Sequence, residues 1–476
     1  MSTEAQNAIH ESPYLGGIHT PLSAEIELCY LKCIEGKLPL HFKGLFVRNT
    51  PNPFFKPIGK YHWFDGDGMV HGIRFVNGKA EYSAKYIKTE VLAQEQEAGE
   101  ALWTGILERP RRRLPVPIKD TANTDLTWHN GQLIASWWLS GLPYALTPEL
   151  ETLGRASFTE ALPKGASVAA HPKVDPNTGE LMFFGYNLFK KPYYGYGVAD
   201  AQGMLKHFTF VDTPKAHIQH DIAITQNYTI LIDMPLGWDE DALKVGKRKI
   251  AFHRDRPSRF GIIPRYGAAE DMIWFEAESA YMYHTIRAFE SGDLITLTGC
   301  RIVDPIPEEQ DQTGDVARLD IIHLVPLLYE WTFNLKTGEV TERLLDKTPT
   351  EFPRVNDQTL GTETRYAYNP TIAQAPTLCF NGFIKYDLQN GQQEQLSYES
   401  LLGELGWRGG EVCFAPDPQR SESEDGGWII SILTHPNQDR SQLVIIDAQQ
   451  LNRGFVARCE LPVKIPVGFH AEFVSL

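Results

Sequence analysis

Four of the chain's 15 histidines interrupt or end apolar, strand-like runs. His171 closes Ser167-Val168-Ala169-Ala170, and His220 precedes Asp221-Ile222-Ala223-Ile224. His284 sits in Tyr283-His284-Thr285-Ile286, and His470 follows Val467-Gly468-Phe469. An unpartnered imidazole is costly in such surroundings, and one shared metal ion is a way to satisfy all four. Their intervals of 49, 64 and 186 residues exclude a local motif and suit strands that converge on an axis. The H-x-x-H formed by His217 and His220 carries little weight alone, and His62, His71 and His217 are expected in structural or surface roles. Asp65-Gly66-Asp67-Gly68 begins like a calcium loop but lacks the closing glutamate, so it is expected as a tight turn between strands. There is no G-x-S-x-G elbow, phosphate-binding glycine loop, H-E-x-x-H or C-x-x-C pair.

Strands must position such a site, and strand signals recur from end to end. Ile73 to Val76, the turn Asn77-Gly78 and Lys79 to Tyr82 predict a hairpin. Similar turns stand at Asn130-Gly131, Asp175 to Gly179, Lys336-Thr337-Gly338 and Asn390-Gly391. Helical periodicity is confined to Gln94–Ala101 and Tyr398–Leu405. So many short strands in 476 residues exceed one sandwich and leave a propeller, a β-helix or several barrels. No repeat signature of the WD or kelch kind is visible. The Arg109–Pro117 stretch is expected as an exposed loop rather than a boundary, and residues 1–476 are expected to form a single domain.

The formal net charge of −15 argues against nucleic-acid binding, which needs a basic surface. The composition is that of a globular protein, with 42% apolar and 22% charged residues. No run approaches the roughly 18 apolar residues of a spanning helix, and the first residues show no signal-peptide pattern. The six scattered cysteines are expected as reduced thiols in a cytoplasmic protein.

The ordered series Phe64-Asp65-Gly66-Asp67-Gly68-Met69, Ala170 to Gly185, His220-Asp221, Glu351-Phe352-Pro353-Arg354 and Gly468-Phe469-His470 resembles the carotenoid cleavage oxygenase family. That family also contains stilbene- and isoeugenol-cleaving enzymes, and the resemblance runs from about Gly44 to Val474. It implies an all-β fold, a seven-bladed β-propeller with a loop and helix cap over its top face. It also implies Fe(II) held by His171, His220, His284 and His470. Four neutral ligands would leave the ion's charge uncancelled and two positions free for oxygen and substrate.

In the family, glutamates orient three of the four histidines. Glu351 and Glu411 match two of them. At the third place this chain reads Ser136-Trp137-Trp138-Leu139-Ser140-Gly141-Leu142-Pro143, so Trp138 or Leu139 stands where the glutamate would be. One histidine, His220, is therefore expected to lean on water or a backbone carbonyl. The stilbene and isoeugenol cleavers place a lysine just before that glutamate, where this chain has Trp137 or Trp138. An indole cannot pair with a phenolate but packs against a polyene.

The implied activity is Fe(II)- and O2-dependent cleavage of a conjugated C=C bond of a carotenoid or apocarotenoid to two carbonyl products. The alternatives are cleavage of a stilbene or phenylpropene, isomerisation on the same scaffold, and a carotenoid-binding propeller whose iron is structural or absent. The expected partners are a small hydrophobic substrate and O2. A substrate dissolved in lipid would suit peripheral membrane contact, with Arg111–Val116 as one such loop.

Overall fold

The computed structural model describes residues 12–106, 110–245, 249–306, 324–375 and 377–476. Seven antiparallel blades form a ring, as the resemblance implied. The first blade comprises Gly44–Pro51, Gly68–Val76, Lys79–Tyr86 and the outer strand Ile26–Tyr30, with Ala471–Val474 on its inner edge. The second runs from Asp125–His129 out to Thr152–Arg155, and the third from Lys173–Val174 to Leu205–Val211. The fourth runs from Ile222–Ile224 to Ile273–Ala277, and the fifth from Tyr281–Ser291 to Val340–Leu344. In the sixth blade, bridges Thr350–Thr371 and Arg354–Tyr368 dock an inner segment on Tyr366–Ile372. The seventh begins at Cys413–Pro416 and ends with Phe455–Glu460, onto which Lys32–Gly36 is added.

Both ends of the chain thus close the ring: an early strand completes the last blade and the final strand completes the first. The closing strands pair in register, Val47 with Glu472 and Cys33 with Cys459. The second pair corrects the expectation of six reduced thiols. Cys33 and Cys459 face each other across adjacent strands and form a disulfide. Their separation of 426 residues hid the pair from any local spacing rule. Cys300, Cys379 and Cys413 are buried free thiols, and Cys29 is half-buried.

The hairpin at Asn77-Gly78 forms as its sequence dictates. Both residues take positive φ, 51° and 72°, matching the twist of the flanking strands. Lys79–Tyr86 alternates exposed and buried positions and turns Ala80, Tyr82, Ala84 and Tyr86 inward. The expected helix at Gln94–Ala101 lies earlier, at Glu90–Ala98, because the Thr89 side chain caps its start and left-handed Gly99 ends it. The other helix, Tyr398–Leu402, stops short of Leu405 at left-handed Gly403. Asp65–Gly68 is not the tight turn between strands that was expected: Asp65 ends the short 3-10 helix Trp63–Asp65, Gly66 is extended, and Gly68 opens the next strand, because the connection from Pro51 is long. Asp65 accepts the N–H groups of His62 and Ile106, and Asp67 pairs with Lys119 at 2.5 Å. Residues 110–117 form a largely exposed loop; Arg109 lies outside the described residues.

Candidate metal centre

Each inner segment brings one residue to the axis. His470 comes from the first blade, Asp125 from the second, His171 from the third and His220 from the fourth. His284, Glu351 and Glu411 come from the fifth, sixth and seventh. The four histidines are buried, and their nearest nitrogens all lie within 4.8 Å of one another. The Nε2 atoms of His220 and His284 are 3.2 Å apart, and Nε2 of His171 is buried with no hydrogen-bond partner. These are donor atoms left for an ion, so the residues present fit a metal.

The carboxylates set the ring orientations. Glu351 Oε2 lies 2.5 Å from His284 Nδ1, and Glu411 Oε1 lies 3.0 Å from His470 Nδ1. Asp125 Oδ2 accepts the His171 N–H at 3.1 Å and stands 3.4 Å from its Nδ1. The Nδ1 of His220 is buried and has no partner among the described residues. The ring expected to lack a glutamate therefore has neither a carboxylate nor a backbone carbonyl as partner among the described residues.

Burial, reinforced by neighbouring imidazoles, holds His171, His220 and His470 well below the ordinary histidine range. Neutral rings keep the lone pairs that bind metal. Burial pushes His284 the same way, but the charge and hydrogen bond of Glu351 prevail and raise it. Burial pushes the Glu411 carboxyl up to about 8.

Three acidic residues also clamp blade to blade. Asp125 takes its own neighbour's N–H, at Leu126, and that of His171 in the next blade. Asp221 takes those of Ile222 and of Thr285, both at 2.8 Å. Glu411 takes the Ala471 N–H at 2.5 Å. Sequence reasoning missed the roles of Asp125 and Asp221. The place of Asp221 beside His220 was a signal; Asp125 offered none.

Two site residues have left-handed backbones, His171 at φ 66° and Phe352 at φ 55°. Each costs on the order of 1–3 kcal/mol, and each precedes a proline, which disfavours the helical region further. The conformation turns the Phe352 ring flat against His470, centroids 4.5 Å apart and planes 16° from parallel. Gly468 is required for a different reason. A Cβ there would collide with Thr50 Oγ1 and the Asn49 carbonyl, against which the last segment threads.

One side of the histidine ring is aromatic. Tyr283 stands edge-on to His220 at 4.9 Å, Phe64 contacts Phe469 at 5.2 Å, and Trp138 contacts Phe64 at 5.0 Å. Trp63, Ile18 and Tyr14, from the capping segments, pack on this group. Trp137 and Trp138 are buried and have unpartnered Nε1 atoms. Trp137 reaches the group through Trp138, 6.4 Å away. The three histidines expected in structural or surface roles stand outside the metal centre and are partnered. His62 accepts the Phe64 N–H, His71 meets Tyr82 Oη at 2.8 Å, and His217 meets Asp233 at 2.8 Å.

Residues 19–475 match the sequence family described as "Retinal pigment epithelial membrane protein". A "Carotenoid 9,10(9',10')-cleavage dioxygenase" from Crocus sativus is 33% identical, over 97% of this chain and 89% of its own. The chain belongs to the carotenoid cleavage oxygenase family. Among solved structures, the lignostilbene dioxygenase of Pseudomonas brassicacearum superposes with a TM-score of 0.86. It is 27% identical and covers 98% of this chain and 99% of its own. A cobalt-substituted apocarotenoid oxygenase from Synechocystis gives 0.82 at 25% identity, over 96% and 97%. This member of the carotenoid cleavage oxygenases is thus a propeller enzyme with a buried four-histidine site. Among the described residues, no helix is long and apolar enough to cross a membrane.

Proposed function

We propose that the chain, as a single propeller domain, is an Fe(II)- and O2-dependent dioxygenase that cleaves a conjugated C=C bond of a carotenoid or apocarotenoid to two carbonyl products. The observation that carries this reading is the convergence of four buried imidazoles, three of them held neutral, beneath an aromatic wall. His171, His220, His284 and His470 would hold the iron, which supplies activation of oxygen and leaves no need for a protein acid or base. Glu351 and Glu411 hold two of the rings, and Asp125 holds the backbone of His171. Tyr283, Phe352 and Phe469 exclude water and present apolar faces, which suit a polyene. Trp138 extends this wall through Phe64, whereas Trp137 stands behind it.

The relatives' names divide between carotenoid or apocarotenoid and lignostilbene substrates. Trp137-Trp138 favours the first, because an indole offers neither an acceptor for a phenol's proton nor a positive charge to hold its anion. The test is to load the protein with iron anaerobically, admit air labelled with heavy oxygen, and assay a panel of apocarotenals and hydroxystilbenes. Label in both carbonyl products is expected. Isomerised substrate without cleavage, or no turnover at full iron content, would refute the reading.

A further inference from the structure

The histidine ring separates two unlike environments along the propeller axis. Residues just before the histidines, Tyr283 and Phe469, belong to the aromatic wall. Residues just after them line a cavity of about 320 Å³: Lys173 after His171, Asp221 after His220, Thr285 after His284 and Glu472 after His470. His171, His284 and His470 themselves form part of its lining. The cavity carries the carboxyl groups of Asp125, Asp221, Asp357, Glu411 and Glu472, against three cations, Lys173, Arg287 and Arg354. Gln358 and Ser475 line it as well and are exposed, which places them at its mouth.

We infer that this cavity, whose lining mixes charged with apolar groups, is the path by which the metal ion reaches the histidines, separate from the aromatic side that receives the substrate. The inference rests on the metal-centre reading above. A divalent cation arrives hydrated, and stripping its water against phenyl and indole faces has no compensation. Carboxyl oxygens can replace that water in steps. A second observation points the same way. Nε2 of His171, a residue only 5% exposed that forms part of this lining, is buried and unpartnered among the described residues.

Two of the cavity's three cations are held back by its acids, and Arg287 pairs outside the lining with Glu330 at 3.5 Å. Lys173 pairs with Asp221 at 2.6 Å, and Arg354 with Asp357 and Glu472 at 2.8 and 3.2 Å. A passing ion therefore meets positive groups that are already tethered. Added positive charge at the mouth should slow entry without touching the ligands.

The test uses the full chain stripped of metal and mixed with Co2+, whose visible absorption reports its arrival at nitrogen ligands in a stopped-flow instrument. The variant Gln358→Arg/Ser475→Arg should bind the same final amount of Co2+ as the parent, with a bimolecular rate at least tenfold lower, and salt should narrow the gap. Gln392→Arg/Gln393→Arg adds the same charge on the outer strand Gln392–Ser397 and should load within twofold of the parent. Equal rates for the mouth variant and the parent, or equal slowing in both variants, would overturn the path. So would several-fold faster loading of Phe64→Ala, which would put entry on the aromatic side. Failure of the parent to bind Co2+ at equilibrium would instead remove the metal centre itself.

Discussion

Glu411 holds the residue pair 470–471 at two points, with Oε1 3.0 Å from His470 Nδ1 and Oε2 2.5 Å from the Ala471 N–H. One carboxylate thus aims a ring and fixes the strand that closes the propeller. Glu411→Gln keeps the shape but loses the carboxyl that meets His470 Nδ1, so metal affinity should fall about 10- to 100-fold. Glu351→Gln should do the same through His284. Competition with a chromophoric chelator measures both, and affinity equal to the parent's would show that the carboxylates merely fill space.

Alanine at His171, His220, His284 or His470 should abolish or greatly weaken iron binding from about one ion per chain. His62→Ala, His71→Ala and His217→Ala should keep near-normal iron in whatever fraction folds, since those rings serve a turn, a tyrosine and an aspartate. Metal analysis of the folded fractions decides, and equal losses in both sets would sink the assignment.

Deleting residues 470–476 should cost activity and stability together. The deletion removes one ring nitrogen and the strand Ala471–Val474, which pairs with Leu45 to Arg48. His470→Ala separates the two effects: it should lose metal yet unfold in urea close to the parent. A truncated chain that still turns over would take His470 out of the site.

On substrate, kcat/KM for a long apocarotenal should exceed that for a 4-hydroxystilbene by roughly tenfold or more, since an unpaired phenol forfeits about 1–3 kcal/mol on burial. Trp138→Lys should depress apocarotenal turnover. Trp137→Lys should act less directly, since Trp137 meets the aromatic wall only through its neighbour. The reverse substrate order would favour stilbene cleavage and leave the metal centre standing.

The Cys33–Cys459 disulfide joins an early strand to the last blade. Cys33→Ser should lower stability by about 2–4 kcal/mol, read from urea midpoints with and without reductant. Thiol titration of the unfolded, unreduced parent should find four reactive cysteines, rising to six with reductant. Six at the outset would remove the bond.

By itself the sequence determined the strands, their turns and the ordered series of residues by which the four histidines and two glutamates were recognised. These are local properties: Asn77-Gly78 needs only its own backbone to turn, and His171, His220, His284 and His470 each mark an apolar run from within. Even the missing glutamate was legible at Trp138-Leu139, and the His220 ring indeed stands without a carboxylate. What only the tertiary structure decided depends on residues distant in the chain. Asp125 reaches His171 from another blade across 46 residues, and Cys33 finds Cys459 because both ends of the chain close one ring. The division of the axis into an aromatic and a charged side was also hidden. It arises because the inner segments pass the histidines in the same sense, a fact of ring assembly that no single strand records.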